Sequence, residues 1–119
     1  MFTGVIIRES LRDPAVVNQL KITHEEVENI DNAAEGQSST WHLLSVEVES
    51  EKIVEVTDAI SKALKKGKWY VDFSSDTEKV VVFPERVFRY PRGNAERRQQ
   101  AVQYGRSLAI PESQLEWKE

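Results

Sequence analysis

The sequence predicts an α+β fold: a ferredoxin-like βαββαβ antiparallel sheet with an added C-terminal strand and helix. Three observations carry this. Runs rich in β-branched residues, "GVII", "LLSVEV" and "VVVF", are separated by polar stretches. Between two of them, Ile53, Val56, Ile60 and Leu64 repeat at helical spacing. The order of elements then reads strand, helix, strand, strand, helix, strand, strand, helix, of which the first six give the βαββαβ pattern.

"FTGVIIRES" is the first strand. Asp13 is suited to cap a short helix from Pro14 to Leu20, because proline tolerates the first helical position and Val16, Val17 and Leu20 share a face. The next stretch, "KITHEEVENID", has two readings. Thr23 and Glu26 make a capping-box pattern, whereas an edge strand around Glu26 to Ile30 is the reading adopted. Residues 31–40 are polar and loop-like. In "TWHLLSVEVE", His42, Leu44, Val46 and Val48 share a core face; Trp41, Leu43, Ser45, Glu47 and Glu49 share the other.

Ser50 can cap the clearest helix, and Lys65, Lys66 and Gly67 read as its end. "WYVDFSS" and "KVVVFPERVFRY" follow as strands joined by "SDTE". Pro84 places the second of these at an edge, or bulges or breaks it. Asn94 can cap a last helix, with Ala101, Tyr104 and Leu108 on one face and Gly105 ending or bending it. Ile110, Leu115 and Trp117 are then available to dock a tail on the body. One face of the sheet needs a cover, either the last helix or a second copy of the chain.

A length of 119 residues suits a single α+β domain, 1–119, with a core large enough to need no staples. Hydrophobic residues make up 39% and charged residues 30%, which excludes a disordered composition. There is no cysteine, so disulfides, thiolate nucleophiles and thiolate-held metals are excluded. The N-terminal stretch has no signal-peptide pattern and no run approaches membrane-spanning length, so a cytoplasmic location without membrane contact is expected. Charge is uneven. Residues 1–60 carry 12 acids against 4 bases, and residues 61–119 carry 8 acids against 12 bases.

"KGKWYVDF", residues 66–73, resembles an RNA-binding octamer at Lys66, Gly67, Tyr70, Val71 and Phe73. Its position after a helix and before a hairpin argues against that role, and its alternation puts Lys68 where a base-stacking ring is needed. A core strand is the better reading, with Trp69, Val71 and Phe73 packed on the central helix and Tyr70 facing outwards. Nucleic acid is therefore not an expected partner.

Chemistry-bearing motifs are few. The two histidines, His24 and His42, lie in no metal-binding spacing, and no glycine-rich loop precedes a helix. Neither a metal nor a cofactor is expected. A possible pocket gathers Trp41, His42, Tyr70 and Asp72, in which His42 could exchange protons if a carboxylate such as Asp72 approached it. Arg86, Arg89, Arg92, Arg97 and Arg98 lie close together in sequence, and an anion site is expected at Arg92, Asn94 and Arg97.

"YGRSLAIPESQLEW", Tyr104 to Trp117, resembles the closing pattern of a family of small bacterial and archaeal proteins with no assigned function. "WHLLSVEVE" and "WYVDF" through "VVVFPERVF" are similar to that family's middle sections. The family pattern carries glycine where Ala109 stands and aspartate where Glu116 stands. The resemblance implies a stand-alone domain and transfers no catalytic residue. The residues favour a non-enzymatic module that binds a small ligand or a protein partner, with homodimerisation through the sheet. A small acid–base enzyme around His42 is the alternative, and RNA binding the third reading.

Overall fold

The computed structural model describes residues 1–31, 33–34 and 37–117. Positions 32, 35 and 36 of the expected polar loop, and the final two residues, lie outside the described residues. The chain forms an α+β structure around one six-stranded antiparallel sheet. Its strands are β1 (Phe2–Ile7), β2 (Lys21–Asn29), β3 (Thr40–Val48), β4 (Val71–Ser74), β5 (Glu78–Phe83) and β6 (Arg86–Pro91), in the spatial order β2-β3-β1-β4-β5-β6. Two α-helices, α1 (Ile53–Ala63) and α2 (Ala95–Ser107), pack against it. No helix among the described residues is long and apolar enough to cross a membrane.

Four expected elements differ from what forms. The helix expected at Pro14–Leu20 is a 3-10 segment, Pro14–Gln19, although Asp13 caps it by accepting from the Ala15 N–H at 3.1 Å. Six residues are too few to repay α-helix nucleation, and the chain turns directly into β2. β2 itself runs from Lys21, across an irregularity between Ile22 and His24, so the strand reading prevails over the capping box and is longer than expected. "KVVVFPERVFRY" is two strands, so the C-terminal extension has two strands and a helix, not one strand and a helix. Pro84 fixes the first corner of the hairpin and Glu85 takes the second at φ 63°, the left-handed conformation such a corner requires.

α1 also ends early. Its carbonyls are met by the segment after β1: Ala63 O accepts from Arg12 N at 2.7 Å, and the Arg12 guanidinium donates to Lys62 O at 2.6 Å. Leu64 leaves the helix to bridge Leu11. Lys65, Lys66 and Gly67 are therefore a loop beyond the helix, with Gly67 at φ 123°. Ser50 does not cap α1 either; it opens a 3-10 turn, Ser50–Lys52, and its hydroxyl accepts from the Met1 amino group.

The two faces of the sheet bury different cores. On one, Phe2, Ile6, Leu44, Val46, Val71, Phe73, Val80 and Val82 pack with Ile53 and Ile60 of α1 and with Leu11 and Val17. Trp69, Val71 and Phe73 are buried, as the core-strand reading of the octamer expects. On the other, Val81, Phe83 and Tyr90 pack with Ala101 and Val102 of α2 and with Ile110, Leu115 and Trp117. The alternate residues of β5 thus serve both cores, which explains its unbroken apolar run. Gly105 does not end α2; a Cβ there would lie 2.6 Å from Leu115 Cδ2, so its bareness admits the tail. The tail and α2 cover the β5-β6 end of this second face. The β2-β3-β1 end stays open.

Candidate binding groove

The open end of the second face is a groove of about 360 Å³. Alternation along β1 and β3 builds its floor: Val5 and Ile7 from one strand, Trp41 and Leu43 from the other, with Ile30 following β2. Val5 is 45% exposed although it sits mid-strand. Tyr70 and Asp72 enter from the approach to β4 and from β4 itself, beside Lys68 and Trp69. Ser113 and Gln114, in the 3-10 turn Glu112–Gln114 of the tail, make one wall.

That wall is held by neutral hydrogen bonds. The side-chain amides of Gln37 and Gln114 donate to each other at 2.9 and 3.0 Å, and Gln37 also donates to Lys68 O at 2.6 Å. The Tyr70 hydroxyl donates to Gln114 O. Its ring lies 5.7 Å from Phe83 and 5.4 Å from Trp117. Burial pushes the ionisation of Tyr70 above its usual range, Asp72 adds to this, and Arg98 opposes it. Tyr70 thus lies on the side of the sheet away from α1, where the tail partly covers it. Trp41 donates from Nε1 to Ser38 O at 2.7 Å, and its ring sits 5.5 Å from that of Trp69.

Of the four expected pocket residues, Trp41, Tyr70 and Asp72 line this groove and His42 does not. His42 alternates with Trp41 along β3 and pairs across the sheet with Val27. Its carboxylate partner is Glu9, not Asp72: Nδ1 lies 2.5 Å from Glu9 Oε2, and the backbone N–H donates to Glu9 Oε1 at 2.6 Å. Burial would raise the Glu9 carboxyl, but the backbone N–H and ring of His42 outweigh it and hold it below its ordinary value. Asp72 instead accepts from Lys79 Nζ at 2.7 Å, a lysine only 3% exposed that also donates to Ser74 Oγ at 2.8 Å. Asp72 thus contributes to the groove as half of an ion pair.

The expected anion site is dispersed in its interactions. Asn94 spends its side chain as the cap of α2, accepting from Arg97 N at 3.0 Å. The Arg92 guanidinium donates to Ser75 O at 3.0 Å. Arg97 lines a separate cleft beside β6. No cluster of three metal-ligating side chains occurs among the described residues.

Sequence reasoning missed Val5, Ile7, Leu43, Lys68 and Gln114 as groove residues. A signal was present: β1 and β3 are apolar on both parities near the groove, more than a strand with one solvated face requires. Compared with protein-family models, with curated proteins and with solved structures, the chain finds no match.

Proposed function

We propose that the chain is a non-enzymatic module that binds a small molecule with a flat apolar body in the groove on the open half of its sheet. One observation carries the reading. An apolar floor of Val5, Ile7, Trp41 and Leu43 lies open between polar walls instead of being roofed by α2. The volume of about 360 Å³ falls within the range of small-ligand sites. Lys68, which has no ion pair among the described residues, and the Asp72–Lys79 pair supply polar groups to orient an occupant. The acid–base alternative has less support, because His42 lies off the groove and is tied to Glu9.

The finer fold belongs to the same proposal. The succession β2-β3-β1-β4 supports an elaborated ferredoxin-like sheet, lengthened by β5 and β6, with the first crossover reduced to a 3-10 segment. The resemblance of Tyr104–Trp117 to a family closing pattern supports a stand-alone domain. We place its action in the cytoplasm, in keeping with a chain that has no cysteine.

The test is a thermal-shift screen of planar and apolar compounds, with hits followed by tryptophan fluorescence, since Trp41 and Trp69 border the groove. Hits should alter the emission, and Leu43→Arg should abolish binding while the protein stays folded. Light scattering on the same samples reads the competing occupant. A dimer that Leu43→Arg dissociates would make this face an interface between copies and overturn the small-ligand reading.

A further inference from the structure

We infer a second site, independent of the groove: a cleft at the β6 edge that takes an organic anion carrying a ring. The basic segment beginning at Arg86 is what builds it. Arg86, Arg89 and Arg97 line one cleft of about 300 Å³ together with Gln100. No acidic residue lines it among the described residues. Arg89 is neutralised by a two-pronged contact to Glu78, at 2.7 and 2.8 Å. Arg86 and Arg97 have no ion pair among the described residues, so the cleft holds two uncompensated guanidinium charges.

Arg86 is also held in place. Its guanidinium carbon lies 4.8 Å from the centre of the Phe88 ring and 5.3 Å from that of Tyr104. Stacking on two rings restricts the plane of the guanidinium and leaves its edge N–H groups to donate. A guanidinium restricted before binding loses less entropy when it grips an oxyanion. The same Arg86, Phe88 and Gln100 line a larger, open groove of about 690 Å³ against α2. The two spaces therefore meet at Arg86, one cationic and the other walled by aromatic rings and glutamines. Glu96 lines the larger groove, so the part of the occupant lying there must carry no negative charge. The chemistry shared by suitable ligands is an oxyanion, phosphate or carboxylate, attached to a planar ring.

The experiment is calorimetric titration of the full chain with phenyl phosphate, benzoate and inorganic phosphate at low and moderate salt. Phenyl phosphate or benzoate should bind more tightly than inorganic phosphate, and the tighter of the two identifies the head group. Binding should weaken with salt. Arg86→Gln and Arg97→Gln should each weaken it by about tenfold, the loss of one charge-assisted contact. Both side chains are exposed, so circular dichroism should show both variants folded. Arg106→Gln, which removes a cation paired with Glu112 elsewhere on α2, should leave it unchanged. Absence of binding by all three probes at millimolar concentration would overturn the site. So would affinities that Arg86→Gln and Arg97→Gln leave intact.

Discussion

At the scale of single residues, the contact between Glu9 and His42 makes the sharpest prediction. Its two hydrogen bonds fasten the segment after β1 to β3. Glu9 ionises below its ordinary value in the fold, so the contact stabilises the protein above about pH 4.3, the unfolded value. That stability is lost as pH falls through the lower folded value. Glu9→Gln should cost about 1–2 kcal/mol at neutral pH, and less in acid, in denaturant melts. An equal cost in both conditions would contradict the account. This pair was not legible in the sequence, because nothing local links residues 33 positions apart. Trp69, Val71 and Phe73 were legible, because strand alternation alone assigns them to one face.

At the scale of elements, the end of α2 is informative. Ile110 N donates to Gly105 O at 3.2 Å and Ala109 N to Arg106 O at 2.9 Å, a Schellman closure. Its left-handed position, φ 61°, is held by Ala109, an exposed residue with no packing role to lose. A Cβ in that conformation is unfavourable, and the gain on removing it exceeds the entropy that glycine adds to the unfolded chain. Ala109→Gly should therefore stabilise by about 0.5–1 kcal/mol, read as a raised denaturant midpoint. A lowered midpoint would refute the argument. The sequence carried a hint here, since the family pattern resembled by this segment has glycine at that position. Helix and strand were otherwise legible from periodicity, apart from the 3-10 segment Pro14–Gln19 and the division of β5 from β6, whereas the end of α1 was set by contacts distant in sequence.

At the scale of the whole molecule, the two sides of the sheet depend on different parts of the chain. One core is closed by α1 and the segment around Val17; the other needs the tail after α2. Trp117 is 6% exposed, donates to the Tyr90 hydroxyl at 3.0 Å, and lies under Arg98 with the guanidinium carbon 5.3 Å from the ring. Trp117→Ala should cost about 3–5 kcal/mol, the usual penalty for emptying an aromatic site. It should also make Tyr90 and Phe83 accessible while leaving the α1 side ordered. Hydrogen exchange distinguishes this from uniform weakening: amides of β5, β6 and α2 should lose more protection than those of β1 and β3. That the tail would dock was visible from its three apolar residues. That docking would also wall a groove was not, because Gln37, Lys68 and Gln114 are brought together only by the fold.

The wall has a further consequence. Among the described residues, the bonds that Gln37, Tyr70 and Gln114 make to hold it come from two amides, a phenol and backbone carbonyls, none of which changes charge between mildly acidic and mildly alkaline solution. Ionic strength has little purchase on them either, since neutral dipoles are not screened as separated charges are. The shape of the groove is thus insulated from the two solution variables that act most directly on the Glu9–His42 contact and on the arginine cleft. An apolar body held on the floor would meet the same walls in acidified and in saline surroundings, and salt would act only on the contacts an occupant makes with Lys68 and Asp72.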